Sequence, residues 1–300
     1  MKSCEVLCIA ETCCDLIFGG LARVPAPGGE EYCREFAVKA GGGSNTAMGL
    51  ARLGVRTRLL TQIGQDALGR LVTGMVEAAG VEIAPVPGEG DVATAVSAVL
   101  SVPGDRSFAS YGGSPFRLTE ELLDRQIRDC RHVHTYLGYC LAFPIAQLCS
   151  RYGKTLSLDL AGGDTATLEE AAPVLRQAAF LTPNEGEACR LAGVQDVEEA
   201  MRVLAAYCGN VVVTCGDKGS RCICAGREYR AAPVVMPGVK DATGAGDLFC
   251  AGYLSGFLQG WDAGRCLAYG NRAGALAVTY LGGMDDCFTK ENVEKMGEGA

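Results

Sequence analysis

Thr155-Leu-Ser-Leu-Asp159, Leu168–Gln177 and Phe180-Leu-Thr182 follow one another in mid-chain, and their reading decides the fold. The first and last are short apolar or β-branched runs of strand length, and the segment between them carries a longer helical pattern. The same alternation extends outward. Val6–Ala10, Arg58–Gln62, His132–Thr135 and Val211–Thr214 read as further strands, and Asn45–Leu53, Ala67–Ala79, Glu120–Asp129, Phe143–Tyr152 and Glu198–Tyr207 as further helices. Parallel strands need crossover connections, so this order predicts an α/β fold, a mostly parallel sheet with helices on both faces.

Two stretches interrupt the alternation. Cys14–Lys39 and Ala93–Tyr111 look like short strands and turns without helices. They fit a small sheet projecting as a lid over a pocket, and equally fit ordinary surface hairpins. Toward the carboxyl end, a glycine-rich turn at Gly238–Gly246 leads into a strong helix. Its apolar positions Phe249, Tyr253 and Phe257, with Cys250 and Leu254, recur every four residues and predict one buried stripe. A second helix is expected from about Asp262 to Tyr280. No clear linker divides residues 1–300, which read as one domain with the lid at about 14–39 and 93–111.

With 300 residues, 48% of them hydrophobic, the chain can bury a sizeable core. A net charge of −8 leaves no basic excess to hold nucleic acid or anionic lipid. The apolar stretch Cys266 to Leu281 is broken by Asn271 and Arg272 and falls short of a membrane span. Without a signal-peptide pattern at Met1, a cytoplasmic location is expected. The 16 cysteines are expected to be reduced, mostly buried thiols, since the chain is neither short nor patterned for secretion. Cys13-Cys14 and Cys222-Ile-Cys224 lack zinc-ligand spacing, and His132 and His134 stand apart from them, so no structural metal cluster is expected.

The chemistry gathers in Asp241-Ala-Thr-Gly-Ala-Gly-Asp247. Small residues at a helix entrance leave backbone N–H groups free for an anion. A carboxylate just inside opposes an anion unless it has work of its own. Accepting a hydroxyl proton beside a transferring phosphoryl group is such work. Capping the helix is the other reading of Asp247, and this segment alone does not decide between them. Gly153-Lys154-Thr155 lacks the upstream glycine of a P-loop, and no Gly-x-Gly-x-x-Gly follows the first strand.

Four motifs, in order and spanning nearly the whole chain, resemble those of the ribokinase (PfkB) family of carbohydrate kinases. They are Ala40-Gly-Gly-Gly-Ser-Asn-Thr-Ala47, continued by Leu50–Gly54 and Thr61-Gln-Ile-Gly64 with Asp66 and Gly69; Thr182-Pro-Asn-Glu-Gly-Glu187; Thr214-Cys-Gly-Asp-Lys-Gly219; and Asp241–Asp247. The resemblance implies a ribokinase-like, Rossmann-type fold and transfer of the ATP γ-phosphoryl group to a hydroxyl of a sugar or sugar-like alcohol. Asp247 would be the base, and Gly244, Ala245 and Gly246 an anion hole.

The resemblance also carries over residue by residue. Asp15, Gly41, Gly42 and Asn45 match sugar-binding positions, although Asn45 read alone could be a helix N-cap. Asn184, Thr214, Gly216 and Gly219 match positions along the nucleotide, and Asn271 one beside adenine. Glu187 matches a carboxylate that positions Mg2+ through water. Asp241, Thr243, Ala277, Tyr280, Gly282 and Asp286 match ligands of a monovalent cation such as K+, Asp286 standing where ribokinase has serine. The first glycine signature lacks the lysine of ribokinase and of the phosphosugar kinases. The glutamate ribokinase carries beyond the strand at Thr135 is replaced by Tyr136-Leu-Gly-Tyr139, whose rings could stack on a sugar or base. A nucleoside kinase and a non-catalytic sugar-binding homologue are the rival readings, and a homodimer through the lid is implied by the family.

Overall fold

The computed structural model describes residues 3–88, 92–102, 105–161, 163 and 165–296. Positions 103 and 104 of the expected lid, and residues 1–2 of the amino terminus, lie outside them. Among the described residues a nine-stranded sheet runs in the order Arg227–Ala231, Ser220–Cys224, Asn210–Thr214, Phe180–Leu181, Thr155–Asp159, Cys130–Tyr136, Cys4–Ile9, Thr57–Thr61, Glu82–Pro85. The seven strands from Asn210–Thr214 to Glu82–Pro85 are parallel, and the hairpin at the other edge is antiparallel.

Side chains alternate across a strand, so each central strand feeds two cores. Leu7, Ile9, Val211 and Val213 join Leu156, Leu158 and Leu123 on one face, while Val6, Cys8 and Val212 join Phe180, Leu248 and Phe249 on the other. Helices cover both faces, as the alternation predicts. The hairpin Ser220–Cys224 with Arg227–Ala231 and the edge strand Glu82–Pro85 were not expected. The helix expected at Phe143–Tyr152 is Ile145–Arg151, and an unexpected helix, Leu137–Ala142, precedes it and ends at Phe143, because the residue before a proline disfavours helical backbone.

The helix Ala245–Leu258 departs from the single stripe expected of it: it is buried all round from Leu248 to Gly256. It lies between Ser44–Arg52 and Ala263–Ala277, and glycines admit both neighbours. A Cβ at Gly49 would press on Leu248 and Ala251, and one at Gly252 on Gly270 and Ala273. Close packing on every side leaves its amino-terminal end, from Ala245 to Phe249, as the part that reaches the cleft.

The interrupting segments form a separate four-stranded sheet, Glu35–Gly42, Thr12–Gly19, Ala95–Val102, Asp105–Tyr111 in spatial order. Register places Asp15, Ser97 and Ser110 on one face with Ile17, Val99, Phe108 and Arg106. Ile17 and Val99 pack on Leu281 of the main body. Asp66, which caps Ala67–Ala78 through Gly69 N, also accepts from Thr94 N and Oγ1 at 2.9 Å, and Lys39 meets Asp285 at 3.1 Å. The small sheet is thereby held across the carboxyl ends of the large one, where ligands collect in open α/β sheets.

Candidate active site

A cleft of about 1390 Å³ runs along the carboxyl ends of the parallel strands and beneath the small sheet. Of the residues singled out above, Gly42, Asn184, Glu187, Thr214, Gly216, Gly219, Gly244, Ala245, Gly246, Asp247 and Asn271 line it. Asp15, Gly41 and Asn45 sit just behind its wall, Asp15 and Asn45 buried at 5% and 2% exposure.

Asp247 occupies the first turn of Ala245–Leu258, at the floor. Gly244, in left-handed backbone at φ 76, is the N-cap and supplies no side-chain bond, so Asp247 does not cap by reaching back. The Ala245 N–H is directed at Ala242 O, 3.3 Å away. The Asp247 carboxylate instead accepts from Asn45 Nδ2 at 3.2 Å and Thr46 Oγ1 at 3.4 Å. Burial pushes its pKa up to about 6 against those two bonds, and the charges of Asp15 and Glu187 push the same way. A carboxylate that resists ionisation and keeps few donors is a stronger base than a surface aspartate.

Asn45 is not the N-cap of its helix. Gly43 holds that position, and Asn45 lies inside the first turn with its amide turned to Asp247. Its Oδ1 is buried and has no partner among the described residues. Gly41 is required by Asp15, whose carboxylate would overlap any added Cβ. Asp15 Oδ1 accepts from the Cys13 thiol at 3.1 Å, and burial raises its pKa.

At the other end the side chains are largely answered by their own chain. Asn184 and Glu187 form a reciprocal capping box on Glu185–Ala192, each side chain meeting the other's N–H at 2.9 Å. Asn271 donates to Ala231 O at 3.2 Å and Ala232 O at 2.8 Å, fixing the chain that follows the edge hairpin.

Asp159, missed by the motif reading, lines the cleft from the last position of its strand. Burial, then repulsion from Asp247 and Glu187, pushes its pKa well above the usual carboxylate range. Its place at a strand's carboxyl end was the available signal. Glu11, Glu185 and Asp217 add further carboxylates, against Arg106 as the one cation among the described lining residues. A polyphosphate entering so acidic a cleft needs counter-cations with it.

The family model described as pfkB family carbohydrate kinase matches residues 4–290. The chain belongs to that family. It is therefore a phosphotransferase with an alcohol acceptor, and its relatives include sugar kinases. An acarbose 7(IV)-phosphotransferase from Actinoplanes sp. is 32% identical over 79% of both chains. An ATP-dependent ribose-1-phosphate kinase from Halopiger xanaduensis is 31% identical over 85% of this chain and 86% of its own. Arabidopsis thaliana ribokinase complexed with ribose and ATP has the same fold, with a TM-score of 0.78 at 23% identity over 99% of both chains.

In this kinase the cation positions come together only in part. Asp241 accepts from Thr243 N at 2.9 Å, Thr243 Oγ1 at 2.7 Å and Gly282 N at 2.9 Å, so that loop and the turn after Ala277 are joined. Tyr280 is buried there. Asp286 is elsewhere, its side chain 97% exposed and drawn to Arg52 at 2.8 Å. The ion pair and solvation hold it outward, so it does not stand in for the serine.

Proposed function

We propose that this kinase, with residues 1–300 acting as one catalytic unit, uses Asp247 to take the proton of a sugar or sugar-acid hydroxyl as ATP delivers its γ-phosphoryl group. The observation that carries the reading is Asn45. Its Nδ2 donates to Asp247 while its buried Oδ1 lacks a donor, which a substrate hydroxyl beside the carboxylate would supply. Asp15, held close by Gly41, is positioned to accept from a second hydroxyl.

The triphosphate is proposed to lie between the Gly244–Gly246 turn and Asn184, Thr214, Gly216 and Gly219, with adenine near Asn271. Charge developing on the transferred group would meet the helix amides there. The residues fit Mg2+: like-charge repulsion among Asp159, Glu187 and Asp247 is what a divalent cation relieves. Glu187 would hold it through water, with Asp159 beside it, and the ion would neutralise phosphate charge. Proton acceptance itself belongs to Asp247. With its pKa near 6, still far below that of an alcohol, the proton moves late, after bonding to phosphorus is advanced.

A nucleoside acceptor is the second reading, favoured by the aromatic wall of the cleft. Tyr136 and Tyr139 meet edge to face at 6.2 Å, and Phe116 meets Tyr139 at 5.2 Å. ADP release measured with free sugars, sugar acids, phosphosugars and nucleosides separates the two. Turnover with a free sugar or sugar acid supports the first reading, preference for nucleosides the second, and silence across the panel would leave a binding homologue.

The lid's outer face carries the exposed Phe36, paired with Phe18 at 5.2 Å, and the exposed Tyr111, and a homodimer through that face is proposed. A monomeric mass by light scattering contradicts it. The 16 cysteines suit a reducing compartment such as the cytoplasm.

A further inference from the structure

We propose that His134, Asp159 and Cys250 form a binding site for a thiophilic divalent cation, zinc first among them, directly beneath the catalytic floor. They come from two neighbouring strands and the helix of Asp247, and one ligand atom from each lies within 4.8 Å of the others. Cys250 Sγ and His134 Nε2 are 3.9 Å apart. Zinc held at roughly 2.0–2.3 Å by nitrogen, oxygen and sulfur sets its ligands about 3.5 Å from one another, so closure needs only small side-chain shifts. Three protein ligands leave the fourth position for water from the cleft, which Asp159 lines.

The surroundings are those of a metal ligand set. Ser157 Oγ meets His134 Nδ1 at 2.9 Å and His132 Nε2 at 2.8 Å, and His132 Nδ1 meets Thr155 Oγ1 at 2.7 Å. When His134 Nδ1–H donates to Ser157, Ser157 donates to His132 and His132 to Thr155, the chain is satisfied and the His134 Nε2 lone pair faces Cys250. An outer-shell partner on the other ring nitrogen orients metal-bound histidines in the same way. Without a cation, His134 Nε2 is answered, among the described residues, by a thiol at the limit of hydrogen bonding. Nitrogen and thiolate ligands select zinc over the magnesium of the nucleotide. On binding, the Cys250 S–H bond breaks, a sulfur–metal bond forms and the proton passes to solvent.

Occupancy places positive charge under Asp247 and draws Asp159 away from the cleft, so zinc is expected to suppress turnover at saturating Mg2+ and ATP. Co2+ supplies a readout independent of activity, because zinc's filled shell is spectroscopically silent. One equivalent of Co2+ added to the reduced full-length protein should produce thiolate-to-cobalt absorption with tetrahedral d–d bands. Cys250→Ser should abolish the thiolate band and, measured against its own zinc-free rate, raise the zinc concentration for half-inhibition by on the order of 100-fold. Ser157→Ala, which keeps all three ligands, should weaken cobalt binding roughly 10–100-fold and carries the test if Cys250→Ser does not fold. No thiolate band in the wild-type protein, a band unchanged in Cys250→Ser, or unaltered cobalt affinity in Ser157→Ala overturns the site. A cobalt signature alongside silence in the substrate panel would separate this proposal from the kinase mechanism.

Discussion

The two ends of the cleft are built on opposite principles. At the nucleotide end, polar side chains are already answered by the chain: Asn184 and Glu187 cap each other's helix turn, and Asn271 holds two carbonyls. At the acceptor end, Asp247 is desolvated to a pKa of about 6 and Asn45 Oδ1 has no partner. The first end is stable without ligand and offers shape and backbone. The second holds groups at a cost in stability, and a substrate hydroxyl relieves it. Under the proposed mechanism, the first end binds and the second reacts.

Asp247→Asn is the sharpest way to break this comparison. It should lower kcat by on the order of 10²–10⁴-fold while leaving nucleotide binding intact. It should also stabilise the fold. Asp247's folded pKa of about 6 lies above its unbound value of 3.8, so the native state holds the proton more tightly than the unfolded chain. Its contribution to stability therefore falls as pH rises from about 4 to 6 and stays low above that. Near neutral pH the variant should gain up to about 3 kcal/mol in a denaturant titration. Near-wild-type turnover removes Asp247 from the mechanism, and lost stability denies the cost assigned to the acceptor end.

Asn45→Ala tests the same end through pH. The wild-type kcat/KM should fall on the acid side with a midpoint near pH 6, where Asp247 is protonated. Removing the Asn45 bond, which favours the charged form, should move that limb upward by roughly one unit and raise KM. An unmoved limb would mean that another group controls the acid side.

Glu187→Gln probes the nucleotide end. Glutamine keeps the capping box, so Tm should hold, while the Mg2+ needed for half-maximal rate rises roughly tenfold. A fall in Tm with unchanged Mg2+ dependence would reduce Glu187 to a helix cap. The smallest effect is expected from replacing K+ with a bulky organic cation. Asp241 already accepts three bonds and Asp286 is turned away, so turnover should decline only modestly. Complete loss of activity without K+ would show that the Asp241 loop rearranges around the ion.

Periodicity and spacing carried much of the architecture. Thr155–Asp159 is a strand with the bounds read for it, and the two helix-free stretches are the small sheet. The Asn184–Glu187 pair was read only as a family motif, and the capping box and helix it makes came from the structure. Asp286 was misplaced because chain position does not reveal that Arg52 waits for it at the surface. The burial of Ala245–Leu258 on every side depended on glycines in neighbouring helices, which a four-residue repeat cannot show.

By itself the sequence determined the α/β class, the two helix-free segments, the family and the motif that makes Asp247 a candidate base, because periodicity and short motifs act over neighbouring residues. Only the tertiary structure decided that Asn45 serves Asp247 rather than its helix end, that Asp159 joins Glu187 and Asp247 in one field of charge, and that His134 and Cys250 meet 3.9 Å apart. Those relations join residues far apart in the chain, and desolvation and Coulomb repulsion depend on distance in space rather than along it.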